Sequence, residues 1–172
     1  MRAGATVSSG DSPSPRVAVF GVGNLLLSDE GVGPATVHFL LDRWDFPEEV
    51  YLRDAGTPGL AMVGHFREFE DIVVVDTVRG GGNPGDVYRF TPEQLPLGAE
   101  LRVSAHDISI VDAWQYAQLL GYEARMVIVG VEPQDISTPR VGLTPALEVR
   151  LPVIAEVVLE ELERLGVEVR PR

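Results

Sequence analysis

The chain has 172 residues, 45% of them hydrophobic and 23% charged, a balance that predicts one soluble folded domain and excludes a disordered chain or a membrane protein. Its net charge of −12 disfavours nucleic acid as a partner, because a polyanion meets that field before it makes any specific contact. All 14 basic residues are Arg and Cys is absent, which removes Lys and thiol nucleophiles, disulfides, thiolate zinc sites and the P-loop.

Residues 1–15 are small and polar, lack the apolar core of a secretory signal, and are expected to be a leader outside the fold. The ordered domain is expected over residues 16–169, with 170–172 as a short tail. No run approaches the roughly 18 apolar residues of a membrane helix, so a cytoplasmic location with no membrane partner is expected. Short β-branched runs at 17–20, 50–52, 72–75, 87–90 and 126–129 alternate with helical patterns at 31–41 and 108–120, the signature of an α/β layer fold. The second helical pattern places Ile108, Val111, Tyr116 and Leu119 on one stripe. The glycine run at 80–85 breaks the rhythm and, with 87–90 beyond it, predicts an extra antiparallel strand and a mixed sheet. Thr144 and Pro145 open a final helix in which Leu147, Leu151, Ile154, Val158, Leu162 and Leu165 recur every three or four residues until Gly166. Pro152 kinks that helix or marks its true start.

Ligands of open α/β sheets bind outside the carboxyl ends of the strands, which selects residues 21–33, Asp54-Ala55-Gly56-Thr57, Asp76 and Gly130-Val131-Glu132-Pro133. Gly21-Val22-Gly23 invites a dinucleotide reading, but Leu26 holds the place of the third glycine and Asp29-Glu30 would repel a phosphate. A favourable charge at a helix start accounts for Asp29 and leaves Glu30 unexplained. Asp76-Thr77-Val78 departs from the Asp-Thr-Gly of aspartic proteases, and a serine elbow is absent. His38 and His65 read as packing residues, whereas His106, in Ser104-Ala105-His106-Asp107, stands just before a helical segment. Glu30, Asp76 and His106 remain as the candidate set: two carboxylates and an imidazole can ligate a borderline divalent ion and leave positions open for another molecule.

Six blocks in this order carry a resemblance. They are Gly21-Val22-Gly23-Asn24-Leu25-Leu26 with Ser28-Asp29-Glu30-Gly31-Val32-Gly33, then Asp54-Ala55-Gly56-Thr57, Val74-Val75-Asp76, Pro84-Gly85-Asp86-Val87-Tyr88-Arg89-Phe90, Ser104-Ala105-His106 and Gly130-Val131-Glu132-Pro133. Over residues 17–165 the chain resembles the maturation endopeptidases of nickel-iron hydrogenases. The resemblance implies a three-layer α/β sandwich, with a twisted, mostly parallel sheet of about five strands and helices on both faces. It also implies removal of a C-terminal extension from the precursor of the hydrogenase large subunit after nickel insertion, just after a basic residue near the last nickel-binding cysteine motif. The family's metal-contacting positions fall on Glu30, Asp76 and His106, with nickel supplied by the substrate. Gly21, Gly23, Asn24, Gly31, Asp54, Gly56 and Thr57 would shape the surrounding loops, and Asp29 or Asp76 would position a water if the ion does not. Asp107-Ile108-Ser109 and Ala124 depart from the family's pattern. Two alternatives stand beside the peptidase: a metal-binding maturation chaperone that binds the precursor without cleaving it, and a nucleotide-binding module.

Overall fold

All five apolar runs become strands of one sheet. The computed structural model describes residues 16–94 and 109–172. In chain order the elements are β1 (Val17–Val22), α1 (Val32–Arg43), β2 (Trp44–Asp45), β3 (Val50–Gly56), α2 (Met62–Glu68), β4 (Asp71–Thr77), β5 (Val87–Phe90), α3 (Ile110–Leu119), β6 (Arg125–Val131), α4 (Pro145–Glu148), α5 (Leu151–Arg164) and β7 (Arg170–Pro171). The sheet order is β3-β1-β4-β6-β5, with the first four strands parallel and β5 antiparallel on the edge beside β6. The expected mixed sheet is therefore present, with its antiparallel strand where the glycine run ends.

Strand alternation builds two cores. On β4, Val73 and Val75 enter one core while Ile72 and Val74 enter the other, and β1 divides Val17 and Val19 from Ala18 and Phe20 in the same way. The first core is closed by Val37 and Leu40 of α1 and by Ile154, Val158 and Leu162 of α5. The second is closed by Met62 and Phe66 of α2 and by Ile110, Ala113 and Ala117 of α3. Each such fully buried large side chain contributes about 1.5–3 kcal/mol, so the sheet is held from both sides and its strand ends are fixed. The chain winds from β1 out to β3 and then back across to β4, which leaves a topological switch point between the carboxyl ends of β1 and β4.

Three expectations need correction, and the choice left open at Pro152 is decided. The third helix spans Ile110–Leu119, because Ser109 and Asp112 form a reciprocal capping box that sets its start two residues later than the apolar pattern suggested. Its buried stripe is Ile110, Ala113 and Ala117 instead of the stripe through Tyr116 and Leu119; Leu119 is 83% exposed. The small Ala residues let α3 pack closely on α2, a seven-residue helix too short for its period to show in sequence. The final helix is two helices, with Pro152 in the first turn of α5 marking a true start. Residues 170–172, expected as a tail, join the fold: Trp44–Asp45 pair antiparallel with Arg170–Pro171, and the Arg172 amide donates to the Arg43 carbonyl at 2.9 Å. The expected leader, residues 1–15, lies outside the described residues.

Candidate active site

The switch point is assembled by close backbone contact. A Cβ on Gly33, in the first turn of α1, would overlap the carbonyl oxygens of Val22 and Val75, so only glycine lets the helix start against the ends of β1 and β4 together. Gly21 faces the Gly33 backbone from the strand side. Gly23, at φ 136°, turns the chain out of β1, and its amide donates to the Gly56 carbonyl at 2.8 Å. The Asn24 side chain then accepts from the Leu26 amide at 3.0 Å, and the Asn24 amide donates to the Glu30 carbonyl at 3.2 Å. These bonds fold Ser28–Gly31 into a single 3₁₀ turn, all four residues of which are buried. Gly31 packs on Leu25 within that turn.

Asp29 and Glu30 are neighbours in sequence with different surroundings. Asp29 is fully buried, and its carboxylate accepts four hydrogen bonds. The donors are the amides of Thr144 (2.7 Å), Gln134 (2.9 Å) and Asp135 (3.0 Å) and the Thr144 hydroxyl (3.0 Å). Three of the four bonds reach Oδ2 and one reaches Oδ1, so both oxygens are engaged. Thr144 occupies the N-cap position of α4, but its hydroxyl is diverted to Asp29 and makes no cap bond. Glu30, 5% exposed, lies on the same turn, which packs against β4.

Asp76 stands near the carboxyl end of β4, paired with Gly130 of β6, and is 1% exposed. One carboxylate oxygen accepts from the Thr77 amide at 2.7 Å; the other, Oδ2, is buried and receives no hydrogen bond among the described residues. Burial pushes the Asp76 carboxyl up to about 8, the Thr77 amide pulls it back, and the Glu30 charge adds to the rise. The structure thus brings Glu30 and Asp76 into electrostatic contact at the switch point. His106 lies outside the described residues. Among the described residues, no group of three His, Asp or Glu side chains forms a metal cluster.

The remaining expected residues frame this pair. Asp54 accepts from the Gly56 amide at 2.9 Å in a turn that Gly56 completes at φ 58°, and Thr57 beyond it is exposed. His38, read as a packing residue, lies 3.4 Å from the Asp54 carboxylate. His65 packs on Phe20, with ring centroids 4.8 Å apart. The acidic pair stands where α1 begins, the place a nucleotide phosphate would take, which removes the physical basis of the nucleotide reading.

One acid of the site was missed as an individual residue. Glu132, buried at the end of β6, accepts from the amides of Gly80 (2.7 Å) and Gly82 (3.2 Å) and from the Tyr88 hydroxyl (3.0 Å). It pins the glycine run that follows β4. The available signal was three consecutive glycine amides in need of an acceptor, opposite an acid at a strand end.

Against known proteins, the hydrogenase maturation protease family, HycI, matches residues 34–161. The Hydrogenase 2 maturation protease of Escherichia coli K12 is 31% identical over 159 residues, covering 91% of this chain and 96% of that one. The hydrogenase expression/formation protein HupD of Thiocapsa roseopersicina is 34% identical over 161 residues, covering 92% and 72%. Among solved structures, the E. coli hydrogenase maturating endopeptidase HybD superposes with a TM-score of 0.82 at 31% identity, covering 91% of this chain and 98% of that one. The hydrogenase maturation protease HycI of Thermococcus kodakarensis KOD1 shares the fold, with a TM-score of 0.69 at 22% identity over 88% and 95% of the two chains.

Proposed function

This chain belongs to the hydrogenase maturation protease family, and we propose that it is the endopeptidase that removes a C-terminal extension from a nickel-loaded hydrogenase large-subunit precursor. In this reading the nickel belongs to the substrate and arrives already held by the precursor's thiolates. Glu30, Asp76 and His106 complete its coordination, and the reaction takes place in the cytoplasm.

The observation that carries the proposal is the Asp76 Oδ2 atom, a buried acceptor with no donor among the described residues, near a second buried acid. An arrangement of that kind costs stability, because two carboxyls taken from water repel each other and disfavour ionisation. An incoming divalent cation reverses both penalties. A precursor without nickel brings only a peptide and leaves them in place. Nickel then acts as the recognition element, and the site discriminates by charge at a point where charge is scarce. Of the two acids considered for positioning a water, Asp29 has both oxygens engaged by the segment at 134–144, whereas Asp76 keeps an oxygen with no donor among the described residues.

The test is the intact mass of a hydrogenase large-subunit precursor, nickel-loaded or nickel-free, after incubation with the wild-type chain or with Glu30→Gln. A defined C-terminal loss confined to the loaded precursor and the wild-type chain is expected. Binding without any new C-terminus would make the protein a chaperone.

A further inference from the structure

Asp29 is the most fully bonded side chain near the site, and nothing in recognition or cleavage has yet used it. Its four donors all come from residues 134–144, a segment more than a hundred positions away in sequence. Three backbone bonds run alongside: the Ser28 amide to the Arg140 carbonyl, the Asp29 amide to the Asp135 carbonyl and the Arg140 amide to the Leu26 carbonyl, each 2.9 Å. Between these bonds Ser28 is held at φ 53°, the one non-glycine residue at positive φ among the described residues. A left-handed serine persists only where its surroundings fix it. Glu30 is the second residue after Ser28, so whatever fixes that turn also fixes the direction from which Glu30 leaves the backbone.

Resting on the reading that Glu30 meets substrate nickel, we propose that Asp29 is a positioning residue. Its carboxylate clamps the turn at 26–29 to the segment at 134–144 and so holds Glu30 in place for the metal of the precursor. Two features point to this role. The Asp29 side chain is fully buried and both its oxygens are engaged by the one segment at 134–144. The Thr144 hydroxyl forgoes capping α4 in order to reach Asp29. The clamp accounts for both, and for the strained serine between them.

The experiment measures KM and kcat on nickel-loaded precursor, with nickel-free precursor as the competing inhibitor, for the full chain and three variants. Asp29→Asn keeps the size of the side chain but turns an NH₂ toward existing donors; Thr144→Val removes one donor, and Thr144→Ser keeps it. For Asp29→Asn the proposal expects KM for the loaded precursor to rise by about tenfold or more, with the inhibition constant of the nickel-free precursor within about twofold. Thr144→Val should move KM the same way by a smaller factor, and Thr144→Ser should restore it. If Asp29→Asn does not fold, the Thr144 pair decides the question. Loss of kcat at unchanged KM would make Asp29 a base and overturn the proposal. A lower unfolding temperature with both constants unchanged would make the clamp structural only and also overturn it. Failure of the wild-type chain to prefer loaded precursor would instead overturn the reading of Glu30, and this proposal with it.

Discussion

The two ends of β4 carry the same side chain in opposite circumstances. At the start of the strand, Asp71 is 9% exposed and meets Arg125 through two hydrogen bonds of 2.6 Å each, with the exposed Arg16–Glu70 pair beside it. Near its carboxyl end, Asp76 is more deeply buried, is near a second acid and, among the described residues, keeps one oxygen without a donor. A bidentate guanidinium is the usual way to keep a partly buried carboxylate charged. Among the described residues, an arginine pairs with Asp71 and none pairs with Asp76. Stability alone would favour the arrangement at Asp71 twice. The exception falls at the switch point of the sheet, where the proposed function has the substrate bring the cation.

The largest expected effect lies at the carboxyl end of the strand. Asp76→Asn and Glu30→Gln should each abolish processing of loaded precursor while far-UV circular dichroism stays that of the wild type. Retained processing in either variant would remove the distinction between the two ends.

A pH series sharpens it next. The Asp76 carboxyl titrates near 3.8 when unfolded and is pushed up to about 8 when folded. Between those values the folded state holds the extra proton, so this group's contribution to stability falls as pH rises from about 4 to about 8 and is level above that. The unfolding free energy from urea titration should therefore decline across this window by an amount on the order of a few kcal/mol. In Asp76→Asn that decline should disappear, leaving the variant more stable than the wild type at pH 8 although it is inactive.

Asp71→Asn should behave in the reverse manner, with a lower unfolding temperature, since it breaks the paired arrangement with Arg125, and unchanged kcat and KM. The smallest effect belongs to Arg16→Ala, whose partner Glu70 is as exposed as itself; no resolvable change in unfolding temperature or processing is expected.

Much of this was legible in the sequence, for physical reasons that also mark its limit. Apolar runs announce strands because both faces of the sheet are covered, and the acids at their carboxyl ends could be picked out because such ends collect ligands. Glu30 and Asp76, which the structure buries near one another, were picked out in that way. The role of Asp29 was not, since its four partners are supplied by a distant segment, three of them backbone amides, and backbone amides have no letter in a sequence. Glu132 was hidden for the same reason. The face of α3 was misplaced because two of its buried positions are the small Ala113 and Ala117, whose apolar signal is weak beside that of the exposed Tyr116 and Leu119.

The measurement closest to the central claim is the affinity of one precursor in two states, nickel-loaded and nickel-free, for the wild-type chain and for Asp76→Asn. The account predicts that the wild-type chain prefers the loaded precursor and that the preference collapses in Asp76→Asn through weaker binding of the loaded form alone. An Asp76→Asn chain that still prefers the loaded precursor as strongly as the wild type would contradict it.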